Sequence, residues 1–377
     1  MGTENIFTLM YPARIIFGRG VIERLAEEIL SLGKRALLVT GCSAMRKSGV
    51  LDRVGAIMKS AGVEFSLFDG VESDPSLETV NEGIEFIQRE RCDVVIGLGG
   101  GSAIDVAKAI ASIVKQPGTV WEYHRGKKIE KEGLPFIAVS TTAGTGAEIT
   151  NNSVLMDREK LVKKSIRSPH MIAKVALVDP ELTLSIPPRI TAYTGMDAFV
   201  QALESYVTKT SNPITDTLAL QAIEVIFHNL PKAVQEGGNI EVREKMALGS
   251  LLSAMAFSNS GLGAVHGLAH PIGAYFGVPH GLACAVLLPH VVGFNLKVRY
   301  GKFSQIAEKI GVEKTENLPC IMKKFLQRIG IPLDFRDYKI TETDFSTIIA
   351  ESRSSSMSKN PRQVSDEDLR EILRRVI

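Results

Sequence analysis

The sequence predicts an α/β fold with a parallel sheet over residues 1–185, followed by an all-helical domain over residues 186–377. A chain of 377 residues is long for one ordinary hydrophobic core and suits two domains. In the first half, short apolar runs alternate with segments of helical periodicity, which is the pattern of a parallel sheet covered by helices on both faces. After Pro187 and Pro188 the strand-like runs stop, so these prolines mark the expected boundary.

The individual elements follow from the spacing of apolar residues. Predicted strands span residues 36–40, 63–68, 93–98, 134–140 and 175–179. Predicted helices of the first domain span residues 21–32, 50–58, 80–87 and 103–114. Helical periodicity alone continues in the second domain, over residues 191–207, 214–229, 243–259, 304–310, 318–329 and 366–377. The polar segment 352–362, SRSSSMSKNPR, is predicted as a loop.

Composition excludes several classes of protein. Lys plus Arg (44) nearly balances Asp plus Glu (42), so the net charge of +2 predicts no nucleic-acid or membrane-surface partner. The sequence contains no run of 18 apolar residues and no signal-peptide pattern, which predicts no membrane association. The four cysteines lack CxxC pairing and are interpreted as free thiols, forming neither a disulfide framework nor a thiolate metal site. These features predict a cytoplasmic protein.

A glycine-rich turn joins a predicted strand directly to a helix within residues 97–108, GLGGGSAIDVAK. Gly99, Gly100 and Gly101 let a backbone approach a ligand closely, and Ser102 can cap the helix or donate to an anion. The helix N-terminus adds unpaired N–H groups and a positive dipole end, which suit a pyrophosphate. The alternative is a tight strand–helix turn without a ligand, since the segment is not GxGxxG. The alternating context favours phosphate binding.

A second polar turn, STTAGTGAEIT at residues 140–150, follows the next predicted strand. It places the hydroxyls of Thr141, Thr142 and Thr145 at a carboxyl end of the same sheet, where such folds bind ligands. An ordinary Ser/Thr/Gly loop is the alternative.

The residues after the first interior strand bear on which dinucleotide is bound. Dinucleotide folds often carry an acid there, which binds the ribose 2′-hydroxyl. Here Gly41 has no carboxylate to repel a 2′-phosphate, and Ser43 can donate to one, with Arg46 or Lys47 in reach. This favours NADP(H); the alternative is a permissive turn that accepts NAD(H) as well.

Three histidines cluster within fifteen residues of the second domain. His266 and His270 are four residues apart on one helical face, and His280 follows beside a glycine. A His-x3-His pair with a distant third histidine is typical of metal ligands. The alternative is satisfied core histidines, but the neighbouring residues are small and apolar. A metal-linked or catalytic role is therefore predicted.

A metal site usually needs an anionic ligand, and the apolar helix GMDAFVQALESY at residues 195–206 supplies one. Asp197 lies inside this helix with Gln201 one turn further on, and Glu204 competes for the role. A buried Asp is costly unless it is paired or ligated. The alternative is an acid that only favours the helix start.

With these motifs in place, the sequence resembles the iron-containing (group III) alcohol dehydrogenase family over nearly its whole length. The stretches that carry the resemblance are PARIIFGRG (12–20), GGGSAIDVAKAIA (99–111), STTAGTGAEIT (140–150) and AVHGLAHPIGAYFGVPHGLACAVLLPH (264–290). The resemblance implies a Rossmann-like dinucleotide-binding domain followed by a helical metal-binding domain, the dehydroquinate synthase-like fold. It also implies a homodimer or larger homo-oligomer.

The resemblance also implies roles for individual residues. It implies metal ligands at Asp197, His266 and His280. It implies cofactor contacts at Gly99, Gly100, Gly101, Ser102, Asp105, Thr141, Thr142 and Thr145. His270 is similar to the family histidine near substrate and nicotinamide, and Lys163 to a family lysine near the cofactor. Gly41 replaces the acid of NAD-preferring members, which again favours NADP(H).

One position departs from the family pattern. The metal helix of the family reads Asp-x3-His, whereas Gln201 stands at the fourth position here. Gln201 completes a four-ligand site, or three ligands and water hold the metal, or the site is weak and often empty. The amide is a weaker and harder donor than imidazole, so a retained site with reduced affinity is expected.

The sequence therefore predicts an enzyme, a metal-dependent oxidoreductase that transfers a hydride between NADP(H) or NAD(H) and a small primary alcohol or aldehyde. The expected cation is Fe²⁺, with Zn²⁺ as the second choice. Three rivals stay open: a metal-free NAD(P)H reductase of the same fold, a dehydroquinate-synthase-like lyase, and a non-catalytic binding or assembly protein. The lyase needs several basic groups for its substrate, whereas the histidine segment is apolar. Turnover of butanal with NADPH separates the dehydrogenase from the lyase and the non-catalytic protein.

Overall fold

A computed structural model describes residues 6–160 and 162–377. Within these ranges the chain forms two compact units, residues 11–185 and residues 186–377 together with residues 6–10. The sequence placed residues 6–10 in the α/β domain. In the structure the backbone of Met10 instead exchanges hydrogen bonds with the Asn259 side chain of the helical unit, at 2.7 and 3.4 Å.

The first unit is built on a parallel sheet, as predicted, and this sheet has six strands. Its strands are β1 (Arg14–Phe17), β2 (Arg35–Gly41), β3 (Glu64–Val71), β4 (Val94–Gly99), β5 (Phe136–Ser140) and β8 (Val175–Val178), in the order β1-β8-β5-β4-β2-β3. A separate antiparallel hairpin pairs β6 (Asn152–Asp157) with β7 (Val162–Arg167). The sequence prediction contained neither β1 nor this hairpin.

Apolar residues on both faces of the inner strands explain why these segments are continuous hydrophobic runs. Side chains alternate across the sheet, so Leu37 and Val39 enter one core while Ala36 and Leu38 enter the other. Helices cover the two faces: α1 (Leu25–Leu30), α2 (Ala44–Lys47), α3 (Val50–Ser60), α4 (Leu77–Glu90), α5 (Gly101–Ile113) and α6 (Val120–His124). Residues of α4 and α5 line the core that contains Leu37 and Val39. Residues of α1 and α3 line the core that contains Ala36 and Leu38.

A fully buried lysine on α5 fastens the chain between β5 and the hairpin. The ammonium of Lys108 donates to the carbonyl oxygens of Ala147, Thr150 and Asn152 at 2.7–2.9 Å. Burial lowers the pKa of Lys108 to about 8, while the charges of Asp105 and Glu148 oppose that shift. The ammonium thus supplies hydrogen-bond donors to the backbone carbonyls of residues 147–152, which connect β5 to the hairpin.

The second unit is helical, as predicted. Its helices are α7 (Pro188–Val207), α8 (Pro213–Gln235), α9 (Ile240–Ser260), α10 (Ala264–Phe276), α11 (His280–Asn295), α12 (Tyr300–Lys309), α13 (Leu318–Arg328), α14 (Phe345–Ser352), α15 (Ser355–Lys359) and α16 (Asp366–Arg374). The prediction of a polar loop at 352–362 is wrong in its centre, because α15 forms there and buries Met357 against Gly267.

One stretch of the helical unit, His280–Lys309, has the length and hydropathy of a membrane span. However, 67% of its most apolar window is buried inside the protein, which is the behaviour of a core helix. Helices α9 and α10 have the length and hydropathy of a membrane span only when they are taken together, and the chain bends by 101° between them.

Candidate functional site

The carboxyl ends of three neighbouring strands carry the segments predicted to bind the cofactor. The chain runs from β2 outward to β3 and then returns to the other side of β2 as β4, so the β2–β4 border is a topological switch point. Ligands of open parallel sheets bind beside such a point. Gly41 ends β2 and Gly99 ends β4, so both residues flank it.

The turn after β4 has a conformation that needs glycine. Gly99 has a φ of +151°, and a Cβ there would lie 2.9 Å from the Cβ of Ala103. Helix α5 begins two residues later at Gly101, with Ser102 in its first turn. The free N–H groups and the positive dipole end of α5 therefore follow the strand directly, which suits an anion.

The structure brings the two predicted cofactor turns together. The backbone N–H of Thr141 donates to the carbonyl of Gly99 at 3.0 Å, since β4 and β5 are neighbours. A Cβ on Gly100 would lie 3.3 Å from Thr142, and one on Gly101 would lie 2.9 Å from Thr145. The glycines thus make room for threonine side chains, and one surface combines hydroxyl donors with a helix N-terminus.

Other residues predicted near the cofactor have partners within this unit. The Asp105 carboxylate accepts from the backbone N–H of Val154 at 3.0 Å, and burial raises its pKa to about 6. The ammonium of Lys163, on β7, pairs with Asp74. Arg46 pairs with Asp69 at 2.7 Å, whereas Ser43 is exposed just before α2. Asp105 thus ties α5 to the hairpin, which gives it a structural role in addition to the predicted one.

Three helices of the second unit each contribute a pair of polar residues with i, i+4 spacing. These pairs are Asp197 and Gln201 on α7, His266 and His270 on α10, and His280 and Cys284 on α11. Residues four apart share one helical face, so each helix presents two adjacent polar groups.

Four of these side chains form one compact cluster. Asp197 Oδ1 lies 3.3 Å from His266 Nε2 and 3.6 Å from His280 Nε2. Cys284 Sγ lies 3.7 Å from His280 Nε2. The four potential ligand atoms all lie within 4.8 Å of one another, and only His280 is partly exposed. The ring of His270 stacks on that of His280 with centroids 5.2 Å apart.

Two glycines bring the helices close enough for this cluster. A Cβ on Gly281 would lie 2.1 Å from the backbone oxygen of Tyr193, so α11 meets α7 backbone to backbone beside His280. A Cβ on Gly263 would lie 2.8 Å from the carboxylate of Glu204, just before α10 starts. Side chains at these two positions would separate His280 and His266 from α7.

Glu204 fixes the orientation of His266. One carboxylate oxygen lies 2.6 Å from His266 Nδ1, and the other accepts from the backbone N–H of Val265 at 2.7 Å. With Nδ1 as the donor, Nε2 of His266 is left free to bind a cation beside Asp197. Asp197 and Glu204 therefore do not compete for one role, because they face opposite nitrogens of the same ring.

Electrostatics within the cluster favour charged ligands. Burial opposes ionisation of every member, but mutual attraction outweighs it: the histidines and Gln201 hold the pKa of Asp197 below its usual value, and His266 and His280 lower the pKa of Cys284. In return, Cys284 and Asp197 raise the pKa of both histidines. The carboxylate and thiol thus favour the charged forms of the histidines, and the histidines favour the charged forms of the carboxylate and thiol.

The cluster fits a divalent cation. A carboxylate, two imidazoles and a thiol are ligands that borderline cations such as Zn²⁺ and Fe²⁺ accept. The buried Oε1 of Gln201 accepts no hydrogen bond from any described residue, although buried acceptors are normally satisfied. A cation beside Asp197 would supply the missing partner.

The sequence prediction missed two features of this cluster. The absence of CxxC pairs does not exclude Cys284 as a ligand, because the informative spacing is His280-x3-Cys284 on one helical face. Glu204 was named only as a competitor of Asp197, although its position seven residues on places it on the same helical face.

Replacing Glu204 by Gln is expected to weaken cation binding by about 10–100-fold, which is the usual cost of losing a carboxylate behind a ligating histidine. The amide retains the shape but not the charge that orients His266. Cation affinity is measured by competition with a chromophoric chelator. Glu28→Gln, at a buried carboxylate of the other unit, is the matched control and should bind as the wild type does. Unchanged affinity in the Glu204 variant would show that His266 needs no such partner.

The chain combines a parallel-sheet unit that has an anion-binding turn with a helical unit that has a buried ligand cluster. This combination is typical of nucleotide- and metal-dependent enzymes. Residues 12–180 match the iron-containing alcohol dehydrogenase family, and residues 191–377 match the C-terminal domain of the same family. The chain belongs to the iron-containing alcohol dehydrogenase family.

Individual relatives agree with this assignment over nearly their full length. The NADPH-dependent butanol dehydrogenase of Clostridium saccharobutylicum is 37% identical and covers 97% of this chain and 96% of its own. The NAD-dependent methanol dehydrogenase of Bacillus methanolicus is 33% identical and covers 97% of this chain and 98% of its own. A crystal structure of 1,3-propanediol oxidoreductase superposes with a TM-score of 0.94 at 38% identity, covering 98% of this chain and 99% of that one. The chain is accordingly an NAD(P)-dependent oxidoreductase of alcohols and aldehydes, as predicted.

Proposed function

We propose that this protein transfers a hydride between NADP(H) and a small primary alcohol or aldehyde, with Fe²⁺ or Zn²⁺ bound in the helical unit. The observation that carries the proposal is the buried cluster of Asp197, His266 and His280 on three helices, which fits a divalent cation. The helical unit, residues 186–377, would hold the cation, and the α/β unit, residues 11–185, would hold the nucleotide.

The cation would be held by Asp197, His266 and His280, with the orphaned amide oxygen of Gln201 as a candidate fourth donor. Such a cation supplies Lewis-acid polarisation of the substrate oxygen. The protein contributes the placement of these donors: Glu204 fixes the tautomer of His266, and burial excludes competing water.

The nucleotide would be held at the carboxyl edge of the sheet, and its nicotinamide supplies the hydride chemistry. Gly99, Gly100, Gly101 and Ser102 bring the α5 N-terminus to the phosphates, and the threonine turn lies against them. The proposed contacts in that turn and beside it are Thr141, Thr142, Thr145, Asp105, Gly41 and Ser43. Lys163 is proposed to act near the nicotinamide, with its ammonium oriented by Asp74.

His270 is proposed to move the proton of the reaction. Its ring lies one helical turn from His266 and stacks on His280, so it is held beside the ligand cluster without being one of the four clustered ligands. A neutral imidazole nitrogen can take the proton of an alcohol and pass it to water, and it can return a proton in the reductive direction.

A small, largely neutral substrate suits the residues around the ligands. The α10 segment, AVHGLAHPIGAYF, contains no charged side chain apart from its histidines, whereas the lyase alternative needs several basic groups. The names of the relatives, a butanol and a methanol dehydrogenase among them, support short primary alcohols and the corresponding aldehydes.

The test is elemental analysis of protein purified without added metal, combined with NADPH-dependent butanal reduction before and after chelation. We expect near-stoichiometric iron or zinc, activity that is lost on chelation, and recovery when the cation returns. Full activity without bound metal would replace the proposal with a metal-free reductase in which His266 and His280 bind substrate. An absence of turnover under all conditions would remove the dehydrogenase assignment for this substrate class.

Gly41→Asp is expected to shift cofactor use from NADPH towards NADH. A carboxylate there would repel a 2′-phosphate and accept from a 2′-hydroxyl. The backbone tolerates the change, because the new Cβ would lie 3.5 Å from the carbonyl oxygen of Val71. The measurement is the ratio of kcat/KM with NADPH to that with NADH, which should fall at least about 10-fold, a difference of about 1.4 kcal/mol. Gly41→Ala is the control, and an unchanged ratio in the Asp variant would place the 2′ position elsewhere.

We also propose that the protein is cytoplasmic and forms a homo-oligomer. All four cysteines are free thiols, which supports a reducing, cytoplasmic compartment. The family resemblance supports a homodimer or a larger homo-oligomer. Analytical ultracentrifugation of the purified protein measures its oligomeric state. A sedimentation coefficient that corresponds to a 41.0 kDa monomer would exclude a homo-oligomer.

A further inference from the structure

We propose that the thiolate of Cys284 is a ligand of the cation, so that the four protein ligands are Asp197, His266, His280 and Cys284. This inference rests on the proposed function, since it assumes that the cluster holds a cation. It replaces Gln201, the candidate fourth donor named above, with Cys284.

The position of Cys284 on α11 carries the inference. It follows His280 by one helical turn, and its sulfur lies 3.7 Å from His280 Nε2. The sulfur is among the four atoms that lie within 4.8 Å of one another, and the side chain is fully buried. A single cation can therefore reach the sulfur together with the nitrogens and the carboxylate, without rearrangement of the helices.

Gln201 fits a different role from ligation. It lies one helical turn after Asp197 on the same face of α7, so its amide is placed beside that carboxylate. The amide oxygen is the weakest donor among the nearby groups for a borderline cation, whereas a thiolate is a strong one. Gln201 is thus a positioning residue for Asp197, and Cys284 supplies the ligand that an imidazole at position 201 would otherwise provide.

A thiolate ligand has a chemical consequence for metal choice. Sulfur donors favour zinc, whereas a set made only of carboxylate, imidazole and amide has no such bias. We therefore expect the protein to retain zinc in preference to iron when both are supplied, and this preference should diminish when the sulfur is removed.

The experiment is X-ray absorption spectroscopy of the zinc-loaded full chain, together with the optical spectrum after cobalt substitution. The wild type should show one sulfur scatterer at about 2.3 Å beside nitrogen and oxygen at about 2.0–2.2 Å. The cobalt form should show a thiolate-to-metal charge-transfer band. Cys284→Ala should lose both signals, and its zinc dissociation constant should rise at least about 10-fold, because a direct ligand should matter no less than its supporting groups.

Three control variants make the outcome specific. Cys92→Ala removes another buried thiol and Cys320→Ala an exposed one, and both should keep the sulfur signal. Gln201→Ala should also keep it. Zinc bound by nitrogen and oxygen alone in the wild type would overturn the assignment of Cys284 while leaving the proposed function intact. Failure of the wild type to bind any cation would instead overturn the proposed function itself.

Discussion

Asp197→Ala is expected to abolish cation binding and to lower kcat/KM for aldehyde reduction at least about 10³-fold. Asp197 is the anionic ligand that faces both His266 and His280, at 3.3 and 3.6 Å. Its removal leaves two imidazoles facing one another without the negative charge between them. A Lewis-acid contribution of about 4 kcal/mol, within the several kcal/mol that such cations supply, corresponds to that rate loss.

The measurement combines metal content after dialysis with steady-state kinetics in the presence of added zinc or iron. The matched control is Asp216→Asn, which changes a carboxylate of the same unit that pairs with Lys302 outside the ligand cluster. The control should keep its metal and its turnover. Wild-type activity in a metal-free Asp197 variant would contradict the role of the cation, whereas loss of activity with full metal content would make Asp197 a catalytic group and not a ligand.

The order of the strands explains how much of the nucleotide site could be predicted from the sequence. The sequence predicts β2, β4 and β5, because burial on both faces makes each of these strands a continuous apolar run. It also predicts the glycine turn after β4 from residue type alone. The contact between Gly101 and Thr145 could not be predicted from the sequence, since it depends on β4 and β5 being neighbours in the sheet. The hairpin of β6 and β7 was missed because its polar segment VKKSIR has no continuous apolar run.

The ligand cluster shows a similar division. The spacings Asp197-x3-Gln201 and His266-x3-His270 identified two of the three helical faces, because i, i+4 residues always share a face. The third face belongs to α11, where His280 and Cys284 have the same i, i+4 spacing, and the prediction did not include Cys284. The roles of the two nitrogens of His266 required the structure, since nothing in the spacing tells that Glu204 faces Nδ1 and Asp197 faces Nε2.

Lys108→Met is expected to destabilise the α/β unit by about 3–5 kcal/mol, which is the usual cost of removing one partner from a buried charged network. The ammonium of Lys108 donates to three backbone carbonyls and lies 2.7–3.0 Å from its oxygen partners, with Asp105 3.9 Å away. Methionine fills a similar volume but removes the ammonium donor from the carbonyls of Ala147, Thr150 and Asn152, and Ala147 keeps the longer hydrogen bond from the Thr150 hydroxyl at 3.4 Å. Each buried acceptor that loses its partner costs about 1–3 kcal/mol.

The loss should appear first in the segment that Lys108 holds. Hydrogen exchange of residues 147–154 should accelerate before that of β2 and β4, and the unfolding temperature of the α/β unit should fall by about 10 °C, since 1 kcal/mol shifts a domain of this size by about 2–4 °C. Lys115→Met, at an exposed lysine just after α5, is the matched control and should stay within about 0.5 kcal/mol of the wild type. Because this segment directly follows Thr141, Thr142 and Thr145, NADPH affinity should fall in the Lys108 variant even at temperatures where it is folded. An unfolding temperature and an exchange pattern equal to those of the control would show that the loop is held by its own backbone and not by the buried ammonium.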